Sequence, residues 1–229
     1  NRLEEAEAEF ERVLEIDPNY APTLYKLGKI FLIRQDYEKA KDAYQRVVAS
    51  EPTYFPAYHG LGMIYSQEGK PITAAKHFNT VLQFKPDYGP SRYRLGALHL
   101  QQQQYAKAID QLRQAAKLVD NEPSVLYLLG NAYMAIGRLS EAADAFAATL
   151  QLDPRRADVH DKLGLVYTEQ SHVLLGAAMA DQDKLAAAIE EHRKAVELAP
   201  DNGWFNNNLG GAYERQRKYE KAAAQYRKT

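Results

Sequence analysis

The stretch that decides the fold is residues 55–88, FPAYHGLGMIYSQEGKPITAAKHFNTVLQFKPDY. Its diagnostic small, apolar and aromatic residues are Tyr58, Leu61, Gly62, Tyr65, Ala74, Phe78, Val81 and Pro86. Steps of three, one and three place the first four on one side of an α-helix, and the next three repeat that geometry on a second helix. The stretch therefore predicts a hairpin of two amphipathic helices.

Turn-forming residues mark the ends of both predicted helices. Gly69 lies in a polar turn, Pro71 suits the first position of the second helix, and Pro86 ends that helix. A glycine inside a helix costs about 1 kcal/mol relative to alanine, so Gly62 needs an offsetting gain. We expect that gain to be close approach of the second helix, with Gly62 facing Ala74.

The pattern returns every 34 residues through most of the chain. The sequence divides into a half repeat at 1–20 that has the second helix alone, full repeats at 21–54, 55–88, 89–122 and 123–156, a repeat at 157–202 enlarged by about 12 residues near 171–182, and a truncated repeat at 203–229. One such hairpin cannot bury its own apolar surface, so the hairpins must stack on one another.

Some positions depart from the pattern. Arg92 and His99 stand where aromatic residues are usual, and that repeat ends in Asp120 and not in proline. His160 and His192 replace aromatic residues in the enlarged repeat, where we expect them to fill space between helices.

Composition narrows the choice of function. The 229 residues are 45% hydrophobic and 26% charged, and 29 basic against 30 acidic residues give a net charge of −1. No overall field attracts nucleic acid or anionic lipid, and no apolar run approaches the roughly 20 residues that cross a membrane. The absence of cysteine excludes disulfides and thiol chemistry. We expect a soluble protein without nucleic-acid binding or membrane insertion, with the cytoplasm favoured over the periplasm or secretion, although the sequence does not reveal the compartment.

The repeat resembles the tetratricopeptide repeat, whose pattern is W-x2-L-G-x2-Y, then A-x3-F, then a proline that ends the second helix. The resemblance covers nearly the whole chain, in six repeats in register. It implies an all-α fold, a right-handed superhelix of antiparallel helix pairs that forms one solenoid over residues 1–229. It also implies a concave groove, lined by the first helices, that binds peptides or helices of partner proteins. Neither end has an evident polar capping helix, so we expect a piece of a longer protein.

By this resemblance, the second, fifth, ninth and twelfth places of each repeat face the groove. The candidate partner-binding residues are Tyr25, Lys29, His59, Met63, Tyr93, Tyr127, Asn131, Asp161 and Asn207. Three tyrosines and a histidine at the fifth place form either an aromatic ladder for a partner or rings that only pack against the adjacent repeat. Both interpretations stay open here.

Charge in the groove is uneven. Lys26, Lys29, Arg92 and Arg94 give its N-terminal half positive charge, which would orient an acidic partner. The sequence alone favours a scattered, solvated surface over that interpretation. Lys29 and Asn131 are isolated in different repeats, and this disfavours the clamp of paired lysine and asparagine side chains with which some family members hold chaperone tails.

The insertion Ser171–Gln182, SHVLLGAAMADQ, is the most individual feature of the chain. Its apolar residues include Val173, Leu174, Leu175 and Met179. The composition predicts a continued first helix, with Asp183 as the N-cap of the second, and so a prolonged hairpin. Its apolar residues then either pack against neighbouring helices or form a docking or self-association site.

Residue patterns for catalysis, cofactors or metals are absent from the sequence. No phosphate-binding loop or nucleophile elbow occurs, the six histidines lack metal-ligand spacing, and Asp181 and Asp183 do not continue into a calcium loop. The sequence predicts a non-enzymatic interaction scaffold. The alternatives are a substrate-recruiting or regulatory region of a larger enzyme, such as a glycosyltransferase or kinase, and a scaffold that self-assembles head to tail through its end repeats.

Overall fold

The computed structural model describes residues 2–173 and 182–229, which form thirteen helices and no strand. The helices are α1 (Arg2–Ile16), α2 (Ala21–Ile33), α3 (Tyr37–Ser50), α4 (Phe55–Gln67), α5 (Pro71–Phe84), α6 (Gly89–Gln101), α7 (Tyr105–Leu118), α8 (Pro123–Ala135), α9 (Leu139–Leu152), α10 (Ala157–Val173), α11 (Gln182–Leu198), α12 (Gly203–Arg215) and α13 (Tyr219–Tyr226). The all-α fold class expected from the sequence is therefore confirmed for the described residues.

Helix lengths repeat as regularly as the sequence does. The first helices α2, α4, α6 and α8 span 13 residues each, and the second helices α3, α5, α7 and α9 span 14. Prolines begin α5 and α8 because a missing N–H costs little in the first turn. Helices that follow one another in the chain pack together in pairs such as α2 with α3 and α4 with α5.

In the five hairpins whose turns the structure describes, the turn places one residue in the left-handed backbone region. The residues at this place are Gln35, Gly69, Gln103, Gly137 and Arg217, with φ between 57° and 72°. Glycine tolerates this conformation without strain, but the turn forms with glutamine or arginine as well. The hairpin geometry is thus set by the helices and not by the turn residue alone.

The recurring helical glycines lie closest to the rings of the second helices and not to the small alanines, so the expected pairing of Gly62 with Ala74 is wrong. A Cβ atom built on Gly62 would lie 2.6 Å from Cε1 of Phe78, and Ala74 is separately buried in the core. The same relation joins Gly28 to Tyr44, Gly130 to Phe146, Gly164 to His192 and Gly210 to Tyr226. Glycine in the first helix therefore makes room for the ring of the second helix.

Packing divides the chain into two compact units, Asn1–Leu98 (unit 1) and His99–Thr229 (unit 2). The core of unit 1 is built from buried side chains of α2 to α6, among them Leu24, Tyr44, Leu61 and Phe78. In unit 2, buried residues of α7 to α13 play the same part, with Leu112, Phe146 and Leu209 among the largest.

The helices of the enlarged repeat are longer than their counterparts. α10 and α11 span 17 residues each, so both extend toward the insertion. Residues 174–181, on which the predicted prolonged hairpin depends, lie outside the described residues. Helix α11 already includes Gln182, so Asp183 lies in its first turn and not at the N-cap position that the sequence predicted.

Candidate functional site

An aromatic cluster surrounds Tyr25 on the first helix α2 of unit 1. The rings of Tyr25 and Tyr54 are 5.3 Å apart between centroids, and Tyr25 is also 5.8 Å from the buried ring of Tyr44. Burial raises the pKa of Tyr25 and of Tyr54 above the ordinary value. These rings therefore present neutral hydroxyl groups at neutral pH.

His59 continues this cluster on α4. Its ring centroid is 5.3 Å from Tyr88 in an edge-on arrangement, and its Nδ1 lies 2.9 Å from the hydroxyl of Ser91. Burial, and next the nearby positive charge of Arg94, lower the pKa of His59 to about 4. The imidazole is thus neutral at pH 7 and behaves as an aromatic ring with one hydrogen-bonding edge.

The remaining sequence-predicted residues of unit 1 differ in exposure. Lys29 is exposed on α2, and Met63 is half-buried against the core of α5 and α6. Tyr93 is half-buried, with the guanidinium carbon of Arg94 5.5 Å from its ring centroid. Unit 1 therefore combines part-exposed aromatic rings with exposed cations on its first helices.

Tyr127 is the corresponding aromatic residue in unit 2. The guanidinium carbon of Arg156 lies 4.4 Å from its ring centroid, and Arg156 also donates to the carboxylate of Asp158 at 2.5 and 3.1 Å. Asn131, one helical turn after Tyr127, is half-buried. Tyr127 is thereby held between its own helix and a charged pair.

Asp161 belongs to a buried hydrogen-bond network. Its side chain is 3% exposed. It accepts hydrogen bonds from Nδ1–H of His192 at 2.8 Å and from the side-chain amide of Asn208 at 3.0 Å. The carboxylate is occupied by α11 and α12, while the predicted Asn207 beside it is exposed. In unit 2 the fifth place of the enlarged repeat therefore ties helices together.

The two histidines of the enlarged repeat have polar partners in addition to packing. His192 is 1% exposed and packs against Gly164 as the aromatic residues do in other repeats. The ring nitrogens of His160 face Glu191 Oε2 at 2.5 Å and the carbonyl oxygen of Pro154 at 3.0 Å. Substitution of aromatic residues by histidine thus adds specific hydrogen bonds to the space-filling role predicted from the sequence.

Trp204 is not among the site residues predicted from the sequence. It is the chain's single tryptophan, it stands at the second place of the last repeat, and it is 68% exposed. The resemblance assigns the second place to the groove, so reading that place in the last repeat would have found it. An exposed tryptophan is a strong candidate anchor for a protein partner.

The apolar residues of the insertion remain a separate matter. Leu174, Leu175 and Met179 lie outside the described residues, and Val173 is described only as the last residue of α10.

Among the described residues, no group of three or more His, Asp or Glu side chains could hold a metal ion. No helix in the described part of the chain is both long and apolar enough to cross a membrane.

The chain is similar to known repeat proteins. Tetratricopeptide-repeat family models match residues 93–157 and 173–229, residues 1–62, and residues 55–88. A solved structure of YrrB, described as a TPR protein with an unusual peptide-binding site, superposes with a TM-score of 0.72 and 22% identity. The superposition covers 91% of this chain and 97% of the YrrB chain.

Two curated relatives cover parts of the chain. The type IV pilus assembly protein PilF of Pseudomonas aeruginosa is 32% identical over 94 residues, which are 41% of this chain and 32% of that protein. The BBSome complex member BBS4 of Bos taurus is 27% identical over 119 residues, which are 52% of this chain and 20% of that protein. The chain thus spans about a third or less of these relatives. Because the family models match along both units, this chain belongs to the tetratricopeptide repeat family.

Proposed function

We propose that this chain is a non-catalytic interaction scaffold that binds a peptide or helix of a partner protein along its first helices. One observation carries the proposal: Tyr25, His59, Tyr93 and Tyr127 are all half-buried. Each side chain keeps part of its surface exposed, so it can gain contact area on binding, while its packed part already limits the rotamer freedom that binding would cost.

The neighbouring residues support the same function. Met63 and Asn131 are half-buried beside these rings, and Lys29 and Asn207 are exposed. Apolar anchors flanked by polar groups are typical of protein interfaces. The similar protein YrrB is described as having a peptide-binding site, PilF as a type IV pilus assembly protein and BBS4 as a member of the BBSome complex. In this proposal the first helices of each unit supply residues for partner binding.

The experiment begins with the full-length gene product that contains this chain. A partner captured with it is identified by mass spectrometry, and its affinity for the chain is then measured. Changing Tyr93 and Tyr127 together to alanine should weaken that affinity by about tenfold or more, since truncating an aromatic anchor often costs about 2 kcal/mol.

The matched control is the pair Tyr37→Ala and Tyr105→Ala. These half-buried tyrosines begin the second helices α3 and α7, so their loss removes similar apolar area away from the first helices. Circular dichroism establishes that both double variants keep their helical content. If the two double variants bind the partner equally well, the proposal is wrong.

A further inference from the structure

Basic and acidic side chains are distributed unevenly over the helices of unit 1. The first helices α2 and α4, and α6 as far as Leu98, contain no Asp or Glu, although the whole chain has 30 of them. These helices carry Lys26, Lys29 and Arg94 together with Arg92. By contrast, the first helix α10 in unit 2 contains Asp158, Asp161 and Glu169 among its charged residues.

Lys41 and Arg46, two cations of the second helix α3, form ion pairs with carboxylates of unit 1. Lys41 Nζ lies 2.8 Å from carboxylate oxygens of both Glu38 and Glu68, and Arg46 Nη1 lies 3.9 Å from Asp42 Oδ2. In the part of the chain that the structure describes, Lys26, Lys29 and Arg94 pair with no carboxylate. Lys26 and Arg94 instead lie over the rings of Phe10 and Tyr93, at 5.4 and 5.5 Å from the centroids.

The unpaired cations lie on the first helices α2 and α6, near the aromatic residues of the same unit in the sequence. Lys29 lies one helical turn beyond Tyr25 on α2. Arg94 is close enough to His59 to help lower its pKa. The ring of Tyr88 lies 5.3 Å from that of His59, and Tyr88 is also close enough to Tyr25 to help raise its pKa. We call this set the basic aromatic face; its residues are Tyr25, Lys26, Lys29, His59, Tyr88, Tyr93 and Arg94.

We propose that the basic aromatic face binds an acidic segment of a partner protein, whose carboxylates pair with the three unpaired cations and whose apolar side chains lie against the rings. Charge complementarity selects this occupant, because the face offers only positive charge and a carboxylate partner is what its cations lack. This inference rests on the proposed function and specifies the partner's chemistry.

The face suits a peptide better than a nucleic acid. Proteins that bind nucleic acids neutralise several phosphates, often six to ten or so, and this face supplies three unpaired cations in a chain of net charge −1. The apolar and aromatic area between the cations calls for apolar side chains, which an acidic peptide provides and a phosphate backbone does not.

The test starts from a library of random twelve-residue peptides displayed on phage and selected against the chain. We expect the enriched peptides to be more acidic than the starting library and to contain aromatic or aliphatic residues. Enrichment of neutral or basic peptides, or no enrichment, would overturn the inference.

The second arm uses the triple charge reversal Lys26→Glu, Lys29→Glu and Arg94→Glu. Each exposed ion pair contributes up to about fivefold in affinity, so the triple variant should bind the selected acidic peptide at least tenfold more weakly. Binding of the peptide to the unchanged chain should also weaken as salt is raised from about 50 to 300 mM, because exposed charges are screened.

The matched control reverses Lys76, Lys107 and Arg113 to glutamate. These exposed cations lie on the second helices α5 and α7, and their reversal changes the net charge by the same amount. If both triple variants lose affinity equally, the effect is one of overall charge and the inference is wrong. The inference is also wrong if an acidic peptide binds both triple variants as tightly as it binds the unchanged chain.

Two further outcomes separate this inference from the proposed function. A peptide whose binding depends on Tyr93 and Tyr127 but not on the three cations would overturn the acidic partner and leave the scaffold function intact. A single-stranded oligonucleotide that competes with the acidic peptide at equal concentration, or light scattering that shows association of copies lost in the triple variant, would assign the face to a different occupant.

Discussion

At Gly130 the missing side chain accommodates the ring of Phe146. A Cβ atom there would lie 2.6 Å from Cε1 of that ring, which is fully buried and cannot move aside. Gly130→Ala should therefore lower the free energy of unfolding by about 1 to 3 kcal/mol, despite the better helix propensity of alanine. Urea denaturation followed by circular dichroism measures the change.

Gly211 is the matched control on α12. An added Cβ there meets its nearest neighbour, a nitrogen of Arg215, at 3.6 Å, which is ordinary contact. Gly211→Ala should raise stability by up to about 1 kcal/mol, because alanine is the better helix former. Equal responses at the two glycines would contradict the packing explanation.

His59 should make the stability of unit 1 depend on pH. Its folded-state pKa is lowered to about 4, against about 6.5 in an unfolded chain. Between these values the unfolded chain binds a proton that the folded chain does not, so the free energy of unfolding falls as the pH drops from 6.5 to 4. The whole effect is at most about 3 kcal/mol.

The variant His59→Asn isolates this contribution. Asparagine places an amide near the position of Nδ1, where Ser91 provides the partner, and it does not titrate. Its unfolding free energy, measured at several pH values, should fall less steeply between pH 6.5 and 4 than that of the unchanged chain. Parallel curves for the two proteins would show that His59 is not the source of the pH dependence.

At the scale of elements, His192 joins α11 to α10. A phenylalanine ring there fills the same space against Gly164 but cannot donate to Asp161, whose carboxylate would keep one donor, Asn208. His192→Phe should therefore cost about 1 to 3 kcal/mol of stability, the penalty of a buried acceptor that loses a hydrogen bond.

A second change tests the cause of that loss. Adding Asp161→Asn removes the buried charge while Asn208 can still donate to the side-chain oxygen. The double variant should recover part of the lost stability in urea denaturation. If His192→Phe alone is neutral, the ring only fills space, as the sequence suggested.

The hairpin architecture could be predicted because it depends on local, periodic information. The faces of both helices in residues 55–88 follow from spacing alone, and Pro71 and Gly69 mark the turn. Spacing shows which residues share a face but not which pair meets across two helices. This is why Phe78, and not Ala74, turned out to contact Gly62.

The candidate site was less predictable because its contacts join residues far apart in the sequence. Asp161 has a groove position by its place in the repeat, but His192 and Asn208, 31 and 47 residues away, occupy its carboxylate. Similarly, the unpaired state of Lys29 and Arg94 depends on where every carboxylate of unit 1 lies. The repeat period does not show which side chains hydrogen-bond across distant parts of the sequence, or which cations lack a carboxylate partner.

At the scale of the whole molecule, destabilisation should stay local. In stacked repeats each hairpin contacts mainly its neighbours, and α8 packs with α7 and α9. Gly130→Ala should therefore increase amide hydrogen exchange most in α8 and α9 and less in the helices beside them, while α2 and α3 keep their protection.

Gly28→Ala, whose Cβ would lie 2.6 Å from the ring of Tyr44, should give the opposite pattern, with the largest increase in α2 and α3. Mass spectrometry of peptides from both variants measures the two profiles side by side. A uniform increase along the chain in either variant would mean that the repeats unfold as one cooperative body, because then no hairpin could open without the others.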